Sequence, residues 1–239
     1  MKNAFICYYT DGYALGVKAL KKSHEVWQHQ APLLIRKVSS RNEALLGRWT
    51  EANETKEFDN VCILDADMFF CNNTDKYFRL ADAGLIGAAH NNAFHGFDGI
   101  PLHHNPITNV PLFIKAGHPL IKDVLRLWID GGCRCDFEAC NRSIPKHLDT
   151  LFVFPSHLWT NIHCSMLKPE TAVKWRYERM MSLQEEAVNM VHGKWWQKKY
   201  HEWLLKDISK YYNGDERCIS IARQSVELIV REFNKYCTD

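Results

Sequence analysis

Two carboxylates stand two residues apart in Leu64-Asp65-Ala66-Asp67-Met68, directly after the apolar run Val61-Cys62-Ile63-Leu64. Side chains alternate along an extended chain, so Asp65 and Asp67 point the same way. Two oxygen donors on one side suit a hard divalent cation such as Mn2+ or Mg2+. Such a cation can bridge the phosphates of a nucleotide and neutralise a departing diphosphate. The acid pair ends a predicted strand, and in an open parallel sheet ligands bind outside those strand ends. A cation held there needs a third protein ligand. A second apolar run, Ala187-Val188-Asn189-Met190-Val191, leads into His192-Gly193-Lys194. Neutral histidine is a good Mn2+ ligand. Glycine lets a backbone approach a phosphate, and lysine offers a point charge to a diphosphate. Taken singly, Asp-X-Asp also occurs as a solvated turn, and a histidine at a strand end need bind nothing.

The elements that must position these groups follow from periodicity. Residues 4–9, 32–38, 61–64 and 85–89 read as short apolar strands, and 13–27 and 42–58 as helices. Strand and helix alternating through the first hundred residues is the pattern of a parallel sheet covered on both faces. Residues 107–114 resume a strand, 119–129 form a helix, and 151–154 and 188–191 are further strand candidates. Two helices close the chain, at 195–212 and 215–236, the second with Ile219, Ala222, Val226, Ile229, Val230 and Phe233 on its inward side. The expected fold is α/β: a Rossmann-type mixed, mostly parallel sheet flanked by helices. Residues 1–200 are expected to form the catalytic domain, with 201–239 a helical extension packed on it.

Composition excludes several classes. Lys+Arg number 30 against 28 for Asp+Glu, so no polyelectrolyte character argues for disorder or general nucleic-acid binding. No window approaches the length of apolar chain that spans a bilayer. The first apolar run is too short for a signal peptide and ends at once in Thr10-Asp11-Gly12, so the expectation is a cytoplasmic protein. The cysteines number nine, an odd count that fits reduced thiols. Cys133, Cys135 and Cys140 lie close enough in sequence to consider a zinc, although the spacing matches no standard finger.

Two further stretches bear on a second substrate. Residues 90–104 are dense in histidine, asparagine, glycine and proline. That loop, with His95, Asp98, His103 and His104, either walls an acceptor pocket or is polar surface. Residues 195–212 interleave lysines with Trp195, Trp196, Tyr200, Trp203, Tyr211 and Tyr212. Such a helix either packs by its aromatics or offers a stacking platform to a glycan or a nucleic acid.

With these residues in view, the chain resembles the metal-dependent nucleotide-sugar glycosyltransferases of GT-A type, in particular the glycogenin and galactosyltransferase-like group. The likeness rests on Thr10-Asp11-Gly12-Tyr13 with Gly16, Ala19, Leu20 and Ser23. It rests also on Phe58 through Leu64-Asp65-Ala66-Asp67-Met68 to Asp75-Lys76-Tyr77-Phe78, and on His192-Gly193-Lys194. It is good over residues 4–80, loose over 105–200, and absent from the last forty. It implies a transferase, hexosyl or pentosyl, moving a sugar from a nucleotide-diphosphate donor of UDP type to a hydroxyl acceptor. The acceptor would be a glycan or, as a variant suggested by the lysines and aromatics of residues 195–212 and opposed by the balanced net charge, a modified DNA base. It further implies that Tyr9, Thr10 and Tyr13 lie against the base, assisted by Arg36. Asp65 and Asp67 would meet the metal and the ribose, His192 would be the third metal ligand, and Gly193 and Lys194 would lie at the diphosphate.

The sequence departs from that pattern in two places. Thr108-Asn109-Val110-Pro111 has the family's asparagine but not its glycine. Where the family shows an Asp-Gln pair, this chain has Cys135-Asp136-Phe137-Glu138. Asp136 or Glu138 is either a general base for the acceptor hydroxyl or an acidic helix start favoured by the dipole. Two other classes stay open. One is a metal-dependent phosphohydrolase or nuclease, which needs two cations and more converging carboxylates. The other is an inactive module that binds the sugar nucleotide.

Overall fold

The computed structural model describes residues 1–90, 107–133, 135–154, 159–161, 189–211 and 215–238. The histidine-rich stretch with His95, Asp98, His103 and His104 lies outside these residues, as does Tyr212. Strands β1 (Asn3–Tyr9), β2 (Leu33–Lys37) and β3 (Asn60–Leu64) are parallel, with β1 between the other two. After the short β4 (Met68–Phe70) come β5 (Ile86–His90), β6 (Ile107–Lys115) and β7 (Leu151–Phe154). The main sheet has six strands in the order β2-β1-β3-β6-β5-β7. β6 runs against both β3 and β5, whereas β7 is parallel to β5. The sheet is therefore mixed and mostly parallel, as the alternation of elements predicts. β3 is buried along its whole length, and Ala4 to Cys7 of β1 are fully shielded. Unbroken apolar runs of this kind belong to strands covered on both faces.

The covering helices are α1 (Ala14–Val26), α2 (Arg41–Glu54), α3 (Phe78–Asp82), α4 (Pro119–Ile129) and α5 (Asp136–Ser143). α2 begins at Ser40, whose hydroxyl accepts from the Glu43 N–H at 3.2 Å, while the Glu43 carboxylate accepts from the Ser39 N–H at 3.0 Å. These bonds satisfy donors that a helix start otherwise leaves bare. Sequence spacing carries this helix to residue 58, but it ends at Glu54, where Thr55 turns to an extended backbone with ψ 130.

A second, three-stranded sheet has the order β4-β9-β8, with β8 (Trp159–Asn161) and β9 (Met190–His192). Its strand β4 alternates between two cores, as period two requires. Phe70 faces the main core, 5.2 Å from Phe5, and Phe69 faces the other way, 6.0 Å from Phe233 and 5.6 Å from Tyr236. Phe233 and Tyr236 belong to α7 (Glu216–Cys237), which follows α6 (Lys198–Tyr211). α7 buries Ile219, Val226, Ile229 and Phe233 on the predicted inward side. The C-terminal helix thus packs under the ribbon that carries residues 68 and 192. α6 begins at Lys198, later than its aromatic content suggests, because the Trp195 N–H closes a turn on the Gly193 carbonyl at 2.9 Å. Trp195 is buried in this second core, whereas Trp203 is 42% exposed. Among the described residues no helix is long and apolar enough to cross a membrane.

Candidate active site

β3 ends at Leu64, and the chain turns through Asp65-Ala66-Asp67 into β4. β4 pairs antiparallel with β9, so that Met68 stands opposite His192. That register brings together residues far apart in sequence. His192 Nε2 lies 3.1 Å from Asp67 Oδ1 and 3.4 Å from Asp65 Oδ2. The Gly193 N–H donates to the Asp67 carbonyl at 2.8 Å and fastens the two segments further. One ligand atom from each of Asp65, Asp67 and His192 can be chosen so that all lie within 4.8 Å of one another. Two carboxylate oxygens and an imidazole nitrogen are a donor set suited to Mn2+ or Mg2+, and their convergence fits one ion. Cys133, Cys135 and Cys140 do not join such a group among the described residues; burial raises the pKa of all three thiols.

Two glycines permit this convergence. Gly16, on α1, faces the acid turn so closely that a Cβ there would collide with the Ala66 carbonyl oxygen and lie 2.7 Å from the Trp196 ring. Gly193 has φ +145, and a Cβ would meet the Tyr200 hydroxyl at 2.8 Å and Trp195 Nε1 at 2.9 Å. Glycine alone adopts such a backbone without strain.

The charges are strongly coupled. Burial works against a proton on His192, yet Asp67 and then Asp65 outweigh it and raise the imidazole to about 9. Burial likewise works against the Asp67 anion, but His192 and Lys194 hold its carboxyl below the usual carboxylate range. The protonated histidine thus supplies the positive charge between the two acids, the place where a divalent ion would be held by the same three side chains.

Arg48 completes the framework, although no motif singles it out. It lies on the buried side of α2 with Ala44, Trp49 and Ala52. Its guanidinium donates to the Asp65 carboxylate, to the Leu64 carbonyl at 3.2 Å, and through Nε to Asp136 Oδ2 at 3.1 Å. Trp49 Nε1 also donates to Asp136 Oδ2, at 3.0 Å. The sequence does carry a signal for Arg48: an arginine in the inward register of an otherwise apolar helix stripe demands a buried anion. Asp136 is that anion. It stands at the first position of α5, the helix-start reading of this residue, with its carboxylate turned to Arg48 and Trp49. Glu138 is buried on the same helix, 3.6 Å from Arg142. Neither acid borders the cavity beside Asp65.

That cavity, about 300 Å³, is bounded by Tyr9 at the end of β1, by Thr10 and Tyr13 just after it, by Arg41 and Arg48 of α2, and by Asp65, Asp67, His192 and Lys194. Of the residues expected at a nucleotide, Arg36 is not brought in; it points to Glu51 Oε1 at 3.0 Å on the α2 side. Arg41, from the first turn of α2, stands in the cavity wall instead. Lys194 Nζ lies 5.3 Å from the centre of the Tyr13 ring, and Tyr13 meets Trp196 edge-on at 5.8 Å.

No protein-family model matches the chain, and no curated protein matches its sequence. Solved structures do match in fold. The apo structure of WbbM, a bifunctional glycosyltransferase, superimposes with a TM-score of 0.56 and 11% identity over 89% of this chain and 51% of that one. This chain therefore spans about half of that structure. A glycosyltransferase involved in the glycosylation of the major capsid of PBCV-1 gives a TM-score of 0.56 and 11% identity, covering 89% of this chain and 100% of that one. At such identity the likeness is one of fold: the chain has a glycosyltransferase fold, a mixed α/β sheet flanked by helices with a C-terminal helix.

Proposed function

We propose that the chain is a metal-dependent glycosyltransferase that takes a sugar from a nucleotide-diphosphate donor, of UDP type, and passes it to a hydroxyl acceptor. The observation that carries this reading is the meeting of Asp65, Asp67 and His192 in the wall of a cavity that also holds Tyr9, Thr10, Tyr13 and Lys194. Asp65, Asp67 and His192 hold Mn2+ or Mg2+, which when bound supplies Lewis-acid neutralisation of the diphosphate charge. Tyr13 offers a ring to the base and Thr10 a hydroxyl to its edge. Lys194 offers its ammonium to the diphosphate, beside the close backbone approach that Gly193 allows. Arg48 fixes the orientation of Asp65, and Asp136 holds Arg48, so both act as positioning residues. The acceptor is a glycan or another hydroxyl-bearing molecule, with nucleic acid a variant of the same reading.

A two-cation phosphohydrolase or nuclease is less well supported. Among the described residues, Asp65 and Asp67 are the only carboxylates in the cavity wall, and one group of ligands converges there. A thermal-shift screen of nucleotide sugars with and without Mn2+ tests the proposal. Stabilisation that needs both the sugar nucleotide and the cation supports it. Stabilisation by Mn2+ with no response to any nucleotide sugar contradicts it.

A further inference from the structure

Within the nucleotide reading of this cavity, Tyr13 must show a ring face to the base and Lys194 must reach the diphosphate. In the structure the two side chains stand against each other. The Lys194 ammonium stands over the Tyr13 ring at 5.3 Å from its centre. The ring is fixed from the side by Trp196, whose plane meets it at 71°. Trp196 is fixed in turn by Phe233 of α7, 6.1 Å away, and by its close packing over Gly16. The platform is therefore rigid and its cover is a flexible four-carbon stem. Cation and base both seek the electron-rich face of the ring. They cannot occupy one face together.

We propose that Lys194 is a built-in cover for the Tyr13 platform, one that only a ligand carrying both a base and a diphosphate lifts at no net cost. The base takes the ring face as the diphosphate gives the displaced ammonium a stronger, charge-assisted partner. A bare nucleoside must displace the lysine without compensation, so the same contact selects nucleoside diphosphates and their sugar esters against nucleosides. Lys194 then has two opposed effects on the proposed site: it hinders the base and favours the diphosphate. The inference rests on that reading of the cavity, and its signature is a change of sign.

Calorimetric titration of the full chain with uridine, and with UDP in the presence of Mn2+, reads that signature for the native protein, Lys194→Ala and Lys194→Arg. Guanosine with GDP and adenosine with ADP run alongside. Lys194→Ala is expected to bind the nucleoside about three-fold tighter, the scale of one exposed cation–π contact, and the diphosphate on the order of ten-fold weaker, the scale of one charge-assisted bond. Lys194→Arg keeps the native pattern. An equal melting temperature for Lys194→Ala and the native chain shows that folding is not the cause. If the alanine variant weakens both ligands, or leaves the nucleoside unchanged, the cover is overturned while the nucleotide reading stands. If the native chain binds none of the diphosphates, that reading falls and the cover falls with it.

Discussion

Arg48 Nε donates to Asp136 Oδ2 at 3.1 Å although the two residues are 88 positions apart. Through this bond and its partner to Asp65, one arginine ties α2, the end of β3 and the start of α5 into a single frame. Arg48 is 3% exposed at its side chain and Asp136 4%. Removing one partner of such a pair leaves a buried charge uncompensated, whereas replacing both by apolar groups does not.

Arg48→Met should therefore lower the unfolding free energy by about 3–5 kcal/mol. Arg48→Met combined with Asp136→Leu should recover part of that loss, because the orphaned carboxylate is gone. Urea denaturation of the three proteins measures both. A single variant within about 1 kcal/mol of the native chain is inconsistent with a paired role for Arg48.

Gly16→Ala tests the contact between α1 and the acid turn. In a free helix the change is favourable by up to about 1 kcal/mol. Here the new methyl collides with the Ala66 carbonyl and meets Trp196 at 2.7 Å. Overpacking of this kind costs about 1–3 kcal/mol. The variant should melt at a lower temperature and, on the proposed metal role of Asp65 and Asp67, bind Mn2+ more weakly, because Ala66 lies between those two acids. A raised melting temperature argues against the contact.

Acid sensitivity that begins below about pH 6.5, before the carboxylates titrate, should arise away from the site, at His29. Its side chain is fully shielded, packed 4.2 Å from Phe70 and 5.2 Å from Phe5, ring centre to ring centre. Burial, and then neighbouring His24, lower its pKa to about 3. Asp75 Oδ1, 3.6 Å from His29 Nδ1, is too distant for a hydrogen bond and does not offset the burial. The folded pKa lies below the unfolded one, so the unfolded chain takes up the proton first as pH falls. Stability is unaffected above about 6.5. Below that it declines by as much as ~1.4 kcal/mol per unit, until the folded form also protonates near 3. His29→Phe should flatten this part of the stability curve between pH 6 and about 4, as followed by urea midpoints. An unchanged acid limb in that variant assigns the sensitivity elsewhere.

Tyr13→Ala removes the proposed platform. Affinity for UDP with Mn2+ should fall by about 1–3 kcal/mol, the range of one base–aromatic stack. Affinity for Mn2+ alone should stay the same, since Tyr13 is not among the three residues proposed to hold the ion. Equal nucleotide affinity in calorimetry defeats the stacking role.

Much of this arrangement was legible before any coordinates, and the exceptions have physical causes. β1, β3 and β7 announce themselves as short apolar runs between turns, and the acid pair and His192 sit at strand ends where their spacing puts them. β4 carries no sequence signal because Met68-Phe69-Phe70 is too short to show a period; it is a strand by virtue of its pairing with β9, a partner more than a hundred residues away. Nor does a buried apolar strand such as β6 carry a mark of its direction, since both faces are covered whichever way it runs. Arg36 and Arg41 differ in reach for a local reason. The first leaves β2 toward Glu51, and the second stands on the first turn of α2, the end that faces the cavity. Asp136 and Glu138 fit the two readings of an acidic helix start equally well in sequence, and only the inward register of Arg48 breaks the tie for Asp136.

The most direct test of the central claim is calorimetric titration of UDP into the native chain and into Asp67→Asn, each with Mn2+ and again with EDTA. Asp67 is the acid nearest His192, at 3.1 Å, so its loss should dismantle the ion site while leaving β4 and β9 paired. One UDP is expected to bind per native chain with Mn2+, and little or none with EDTA or in Asp67→Asn, which should still melt cooperatively well above the titration temperature. UDP binding of equal strength in all of these conditions would contradict that claim.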